Sequence, residues 1–119
     1  MNYMLLVYHR EDAWQARPAE ERQAIYQRCL DHNRQLAEEG VFVDGAPLES
    51  VATAQTVRVR DGETIVTDGP FAETKEQLGG YFLLHCVDRD EACEHAAEII
   101  EKQQNALGGM EVRESPEAD

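Results

Sequence analysis

Several side chains in this sequence are spaced so that they could handle protons or hold a polar ligand. His32 follows Ile25 and Cys29 and precedes Leu36 at intervals of four, three and four residues, the spacing of one helix face. It therefore points from its helix toward a sheet. An imidazole in that position is either a pocket acid or base or a hydrogen-bonded core histidine. Asp68 stands immediately before Gly69-Pro70-Phe71. Its carboxylate either caps the turn through nearby amides or sits at the mouth of a cavity as a proton acceptor. Phe71 then either walls that pocket or anchors the loop. Lys75, in the polar stretch that follows, suits an anionic ligand group. Tyr8 and His9 end one strand and Tyr81 opens another, which places them where a cavity rim would form.

Metal chemistry has little support at this level. Cys29 and His32 share a face, but two ligands do not complete a zinc site, and no set of three or four falls at metal-site spacing. His85 and Cys86 are adjacent on a strand and face opposite sides. His95 lies off the apolar stripe of its helix and reads as exposed. Gly79-Gly80 opens no helix, so it reads as a bulge or close backbone approach, not a phosphate cradle. The expectation is no metal and no dissociable cofactor.

The elements that must position these residues follow from pattern and punctuation. Met4 to Tyr8 is an apolar run expected to be a strand covered on both faces. A loop with Trp14 leads to a helix over about Pro18 to Glu39, started by Pro18 and stopped by Gly40. Val41 to Val43 gives a short strand, and Gly45 and Pro47 break the loop after it. Thr56 to Arg60 and Glu63 to Thr67 alternate around Asp61-Gly62, a two-residue hairpin turn. This pairs Arg60 with Glu63 and puts Val57, Val59, Thr64 and Val66 on one face. Tyr81 to Val87 is a second two-faced strand. Asp88 and Glu91 have capping-box spacing, and the stripe Cys93, Ala96, Ala97, Ile100, Leu107 predicts a helix ended by Gly108-Gly109. Met110 to Arg113 forms a last strand, and residues 115–119 form a loose tail.

This order predicts one α+β domain over residues 1–119, a ferredoxin-like split βαβ unit with an inserted hairpin and two helices on one face of the sheet. Met4, Leu6, Tyr81 and Leu83 on one face compete for cover with Leu5, Val7, Phe82 and Leu84 on the other. A second layer is needed, and the same sheet in a twofold homodimer is the simplest supply.

Composition narrows the partners. The 119 residues hold 11 Lys and Arg against 24 Asp and Glu, a formal net charge of −13, which repels nucleic acid and anionic membrane surfaces. No stretch has the about 20 apolar residues of a membrane span, and the first apolar run lacks the flank of a signal peptide. Cys29, Cys86 and Cys93 sit in apolar patterns and read as reduced core thiols, which agrees with a cytoplasmic protein.

The string Val66-Thr67-Asp68-Gly69-Pro70-Phe71-Ala72-Glu73-Thr74-Lys75-Glu76-Gln77-Leu78-Gly79-Gly80-Tyr81-Phe82 resembles the signature of the DGPF-motif branch of the YCII-related family. Asn2 to Tyr8 and Met110 to Arg113 extend the likeness over nearly the whole chain. The resemblance implies a dimeric α/β barrel, in which the sheets of two ferredoxin-like protomers pack together. In the YCII branch it also implies a His-Asp pair, with the His in an Arg-Pro-x-His setting near the start of the first helix. Here Arg17-Pro18 is followed by Ala19-Glu20, so that pair does not carry over. The expected function is a small-molecule binder or cofactor-free enzyme with a pocket near the Asp68 turn, with Asp68 and His32 handling protons. The alternative is a regulatory subunit acting with an extracytoplasmic-function sigma factor, as the resemblance implies from gene neighbourhood.

Overall fold

The computed structural model describes residues 1–103 and 108–117. The chain runs β1 (Asn2–His9), α1 (Glu11–Gln15), α2 (Ala19–Glu38), β2 (Phe42–Pro47), a single 3-10 turn (Val51–Thr53), β3 (Gln55–Arg60), β4 (Glu63–Asp68), β5 (Gln77–His85), α3 (Arg89–Lys102) and β6 (Gly109–Ser115). β2, β5, β1 and β6 form an antiparallel sheet in that order. This is the ferredoxin-like order, with β3 and β4 inserted as a separate hairpin between its second and third strands.

One face of the sheet carries the core. Tyr3, Leu5 and Val7 of β1 and Phe82 and Leu84 of β5 are buried, together with Leu36 of α2 and Ala92, Ala96 and Ile99 of α3. The intervening Met4, Leu6, Tyr81 and Leu83 are only half-buried, as expected for strands whose alternate side chains point away from the helices. The helix face expected for α2 is observed: Ile25, His32 and Leu36 are buried. That of α3 is rotated. Ala92, Ala96 and Ile99 face inward while Cys93 and Ala97 are exposed, because small alanines at the contact let the helix lie close to the sheet. Cys93 is thus a surface thiol and not a core one. Leu107 lies outside the described residues.

Other differences have local causes. The loop expected around Trp14 contains α1, whose Glu11 and Asp12 lie at the positive end of its dipole. The Glu11 carboxylate accepts hydrogen bonds from Ser50 Oγ and Val51 N, both at 2.9 Å. β2 continues through Gly45 to Pro47, where the sequence reads a loop, because an edge strand tolerates proline. β5 begins earlier than expected, at Gln77. Val7 pairs with Gly80 and Tyr8 with Leu78, which leaves Gly79 as the extra residue of a bulge. A Cβ on Gly80 would lie 2.9 Å from the Ala46 carbonyl oxygen, so β2 and β5 approach closely only because Gly80 has none. The expected capping box is present, with Glu91 N donating to Asp88 Oδ1 at 2.9 Å. The tail is partly tied: Ser115 ends β6, and Glu117 pairs with the Met1 ammonium at 3.1 Å and with His85 at 3.3 Å. Residues 118–119 lie outside the described residues.

The hairpin keeps the expected register, with Arg60 opposite Glu63, Val59 opposite Thr64 and Val57 opposite Val66. Asp61 at φ 50° and Gly62 at φ 79° form its turn, matching the twist of a type I′ hairpin. Its valine face is bare, with Val57 61% and Val59 67% exposed. A radius of gyration of 16.0 Å, against about 13.5 Å for a compact domain of this length, reflects an arm standing off the main sheet.

Candidate functional site

The sheet, α2 and α1 enclose a pocket of about 330 Å³ beside the β2 edge. Val7 and His9 of β1 reach it because they continue the inward alternation of Tyr3 and Leu5. Ile25, Tyr26, Cys29, Leu30 and Asn33 of α2 form the opposite wall, and Trp14 closes one side. Gly45, Gly79 and Gly80 line the sheet side. There the space is free of side chains, and the ring of His9 lies so close to Gly79 that a Cβ would displace it.

The walls are largely apolar, with few polar groups among them, the usual character of a small-molecule site. Asn33 Oδ1 is buried and has no hydrogen-bond partner among the described residues. An orphaned acceptor of that kind costs about 1 to 3 kcal/mol unless a donor reaches it. Gln103 donates to Cys29 Sγ at 3.4 Å, and burial pushes the Cys29 thiol up, which keeps it protonated and unreactive. Tyr81 borders the pocket and its hydroxyl donates to Asp44 Oδ2 at 3.0 Å. That bond and the charge of Asp44 raise the phenol above its ordinary range, so Tyr81 stays a donor.

The expected site residues are not gathered in one place. His32 is buried, but its Nε2 faces α3 and lies 3.6 Å from Glu98 Oε2. It lines a separate, open groove between α2 and α3 with Arg28, Gln35, Glu98, Glu101 and Lys102. Burial, and then Lys102, hold its imidazole below the usual range, with Glu98 opposing them. Asp68 is exposed at the end of β4, where it accepts from Gln55 Nε2 at 3.1 Å. The turn after it is closed without that carboxylate: Gly69 N donates to Ala54 O at 2.8 Å and Thr56 Oγ1 to Gly69 O at 2.9 Å. Phe71 is 76% exposed, with the Arg58 guanidinium 4.8 Å from its ring centre. Lys75 is exposed in the following loop, and Tyr8 lies on the outer face of β1, one residue out of phase with His9. Of the residues expected at a cavity rim, His9 and Tyr81 border the pocket and Tyr8 does not. This pocket lies at the β2 edge, and Asp68 is not among the residues that line it.

Sequence spacing does not mark Trp14, Asn33 or Gln103 as site residues. Asn33 is within reach of that logic, since it follows Ile25 and Cys29 at steps of four. Trp14 is not, because its place depends on how α1 folds over the sheet edge. The fold also gathers Cys86, Glu91 and His95, whose ligand atoms all lie within 4.8 Å of one another, although sequence spacing gives no metal-ligand set. Burial, followed by Glu91, pushes the Cys86 thiol up to about 11, which makes it a poor nucleophile.

A ferredoxin-like sheet with an inserted hairpin and a pocket under its first long helix places the chain in the dimeric α/β-barrel fold class. The chain belongs to the YCII-related domain family, whose model matches residues 1–115. It is 38% identical over 113 residues to an uncharacterised protein of Rhizobium meliloti (strain 1021), covering 95% of this chain and 90% of that one. It is also similar in structure to the 5-chloro-2-hydroxyhydroquinone dehydrochlorinase of Burkholderia phenoliruptrix AC1100, solved in complex with 2,5-dihydroxybenzoquinone. That match has a TM-score of 0.56 at 15% identity and covers 99% of this chain and 96% of the other, a likeness of fold. No helix among the described residues is long and apolar enough to cross a membrane.

Proposed function

We propose that this chain, a member of the DGPF-motif branch, binds a small planar aromatic molecule bearing hydroxyl or carbonyl groups in the pocket beneath α2. Any turnover of that molecule we assign to cofactor-free proton transfer at His9. The observation that carries this reading is a pocket of about 330 Å³ walled by Trp14, Ile25, Tyr26 and Phe82, with the unsatisfied Asn33 Oδ1 beside it. That volume suits a single substituted ring. A ligand hydroxyl would supply the donor that Asn33 lacks, and the His9 imidazole is a group able to take or give a proton. The hydroxylated quinone in complex with the structural neighbour supports the choice of ligand class.

The same reading includes a cytoplasmic homodimer. Its support is the half-buried outer row Met4, Leu6 and Leu83 and the bare valines of the hairpin, apolar surface that a second sheet would cover.

Trp14 is the single tryptophan and lines the pocket, so its fluorescence reports occupancy directly. Titration with 2,5-dihydroxybenzoquinone and a panel of small phenols and aromatic acids should give saturable quenching by at least one of them. Asn33→Ala and His9→Gln should each weaken that binding about tenfold or more, the loss of one buried hydrogen bond to a polar ligand group. Saturable binding indifferent to both substitutions would move the site elsewhere.

A further inference from the structure

We propose that Cys86, Glu91 and His95 form a binding site for a divalent, borderline-soft metal ion, zinc being the best match, which pins the start of α3 to the end of β5. Cys86 immediately follows β5, and Glu91 and His95 lie four residues apart on one face of α3. Their sulfur, carboxylate oxygen and imidazole nitrogen already lie within 4.8 Å of one another. Around a tetrahedral zinc, sulfur and nitrogen ligands sit about 3.6 Å apart. Closing the remaining gap takes small rotations of Glu91 and His95, whose side chains are 33% and 15% exposed.

The surroundings are those of a ligand set. Cys86 Sγ supplies a soft donor at a buried residue, and Glu91 Oε1, 3.7 Å from His95 Nε2, supplies a hard one. The other carboxylate oxygen of Glu91 accepts from Val87 N at 3.1 Å, which fixes the side chain with Oε1 turned toward His95. On the far side of the ring, His95 Nδ1 is buried, makes no hydrogen bond within normal limits and faces Glu98 Oε2 at 3.7 Å. A carboxylate behind the non-ligating nitrogen is the arrangement that orients metal-bound histidines. Three protein ligands leave a fourth position for water on the exposed side. Phe82 is the pocket-lining residue of β5 nearest to Cys86, and the four-residue step between them spans about 13 Å of strand, so the cluster and the pocket beneath α2 share no lining residue.

The test uses tag-free protein, stripped with a chelator and titrated with cobalt(II), whose thiolate charge-transfer absorption reports sulfur ligation. One equivalent should saturate the band, and zinc should displace it. Cys86→Ser should abolish the band, whereas Cys29→Ser and Cys93→Ser should keep it. His95→Gln should weaken affinity at least tenfold, and Glu98→Gln about tenfold through the orienting carboxylate. Absence of a charge-transfer band in the wild type, or its survival in Cys86→Ser, would overturn the proposal. If Cys86→Ser does not fold, His95→Gln decides: an unchanged cobalt affinity there rejects the site.

Discussion

At the scale of single residues, a side chain's type says less than the element it faces. His32 is an interior histidine, and the packing of α3 turns it toward Glu98 and away from the pocket. Its neutral form is favoured in the folded state by burial and Lys102, so its folded pKa lies below the unfolded value of 6.5. The stability it contributes is complete above that unfolded value and is lost as the pH falls through the lower, folded one. Wild-type protein should therefore lose stability between about pH 7 and pH 5 more steeply than His32→Gln, measured by urea denaturation across that range. Coincident slopes would mean that His32 is not held neutral. Asp68 offers the opposite case. Its exposed carboxylate accepts a bond from Gln55 that an amide oxygen can also accept. Asp68→Asn should change stability by no more than about 0.5 kcal/mol and leave ligand quenching of Trp14 unaltered. A tenfold weakening would show that the hairpin of a second copy enters the pocket.

At the scale of elements, the pocket exists because strands approach one another where side chains are missing. Gly80 faces the Ala46 carbonyl oxygen and Pro47 Cα, rigid backbone on both counts. Gly80→Ala must push β2 away from β5 and should cost about 1 to 3 kcal/mol, read by thermal or chemical denaturation. Because β2 and β5 both line the pocket, the same variant should lose ligand affinity. Unchanged stability would mean that the sheet edge adapts without strain.

At the scale of the whole molecule, the two faces of the sheet have different fates. The inner face is sealed by α2 and α3, while Met4, Leu6 and Leu83 wait for cover. Sedimentation equilibrium should find a dimer at micromolar concentration. Leu6→Glu should convert it to a folded monomer, since a charge on the outer face disrupts the apposed layer and leaves the helix-side core intact. A wild-type monomer with native circular dichroism would remove the argument for a second layer.

Features that depend on near neighbours along the chain are legible in the residues alone. The Asp61-Gly62 turn and the pairing of Arg60 with Glu63 follow from backbone sterics and a period of two. The Asp88 cap and the Ile25, His32, Leu36 face follow from local hydrogen bonding and a period of 3.6. The order of these elements is enough for the ferredoxin-like fold, because few topologies bury such strands beneath two helices. The rotation of α3 about its axis, which turns Ala92 inward and Cys93 outward, comes from packing instead. Adjacent helical stripes are nearly equal in apolarity, and contact with the sheet breaks the tie. Packing also places Trp14, His9 and Asn33 around one cavity and brings Cys86, Glu91 and His95 together elsewhere. Residues from separate elements meet at distances set by how sheet and helices pack, and no spacing along the chain encodes those distances.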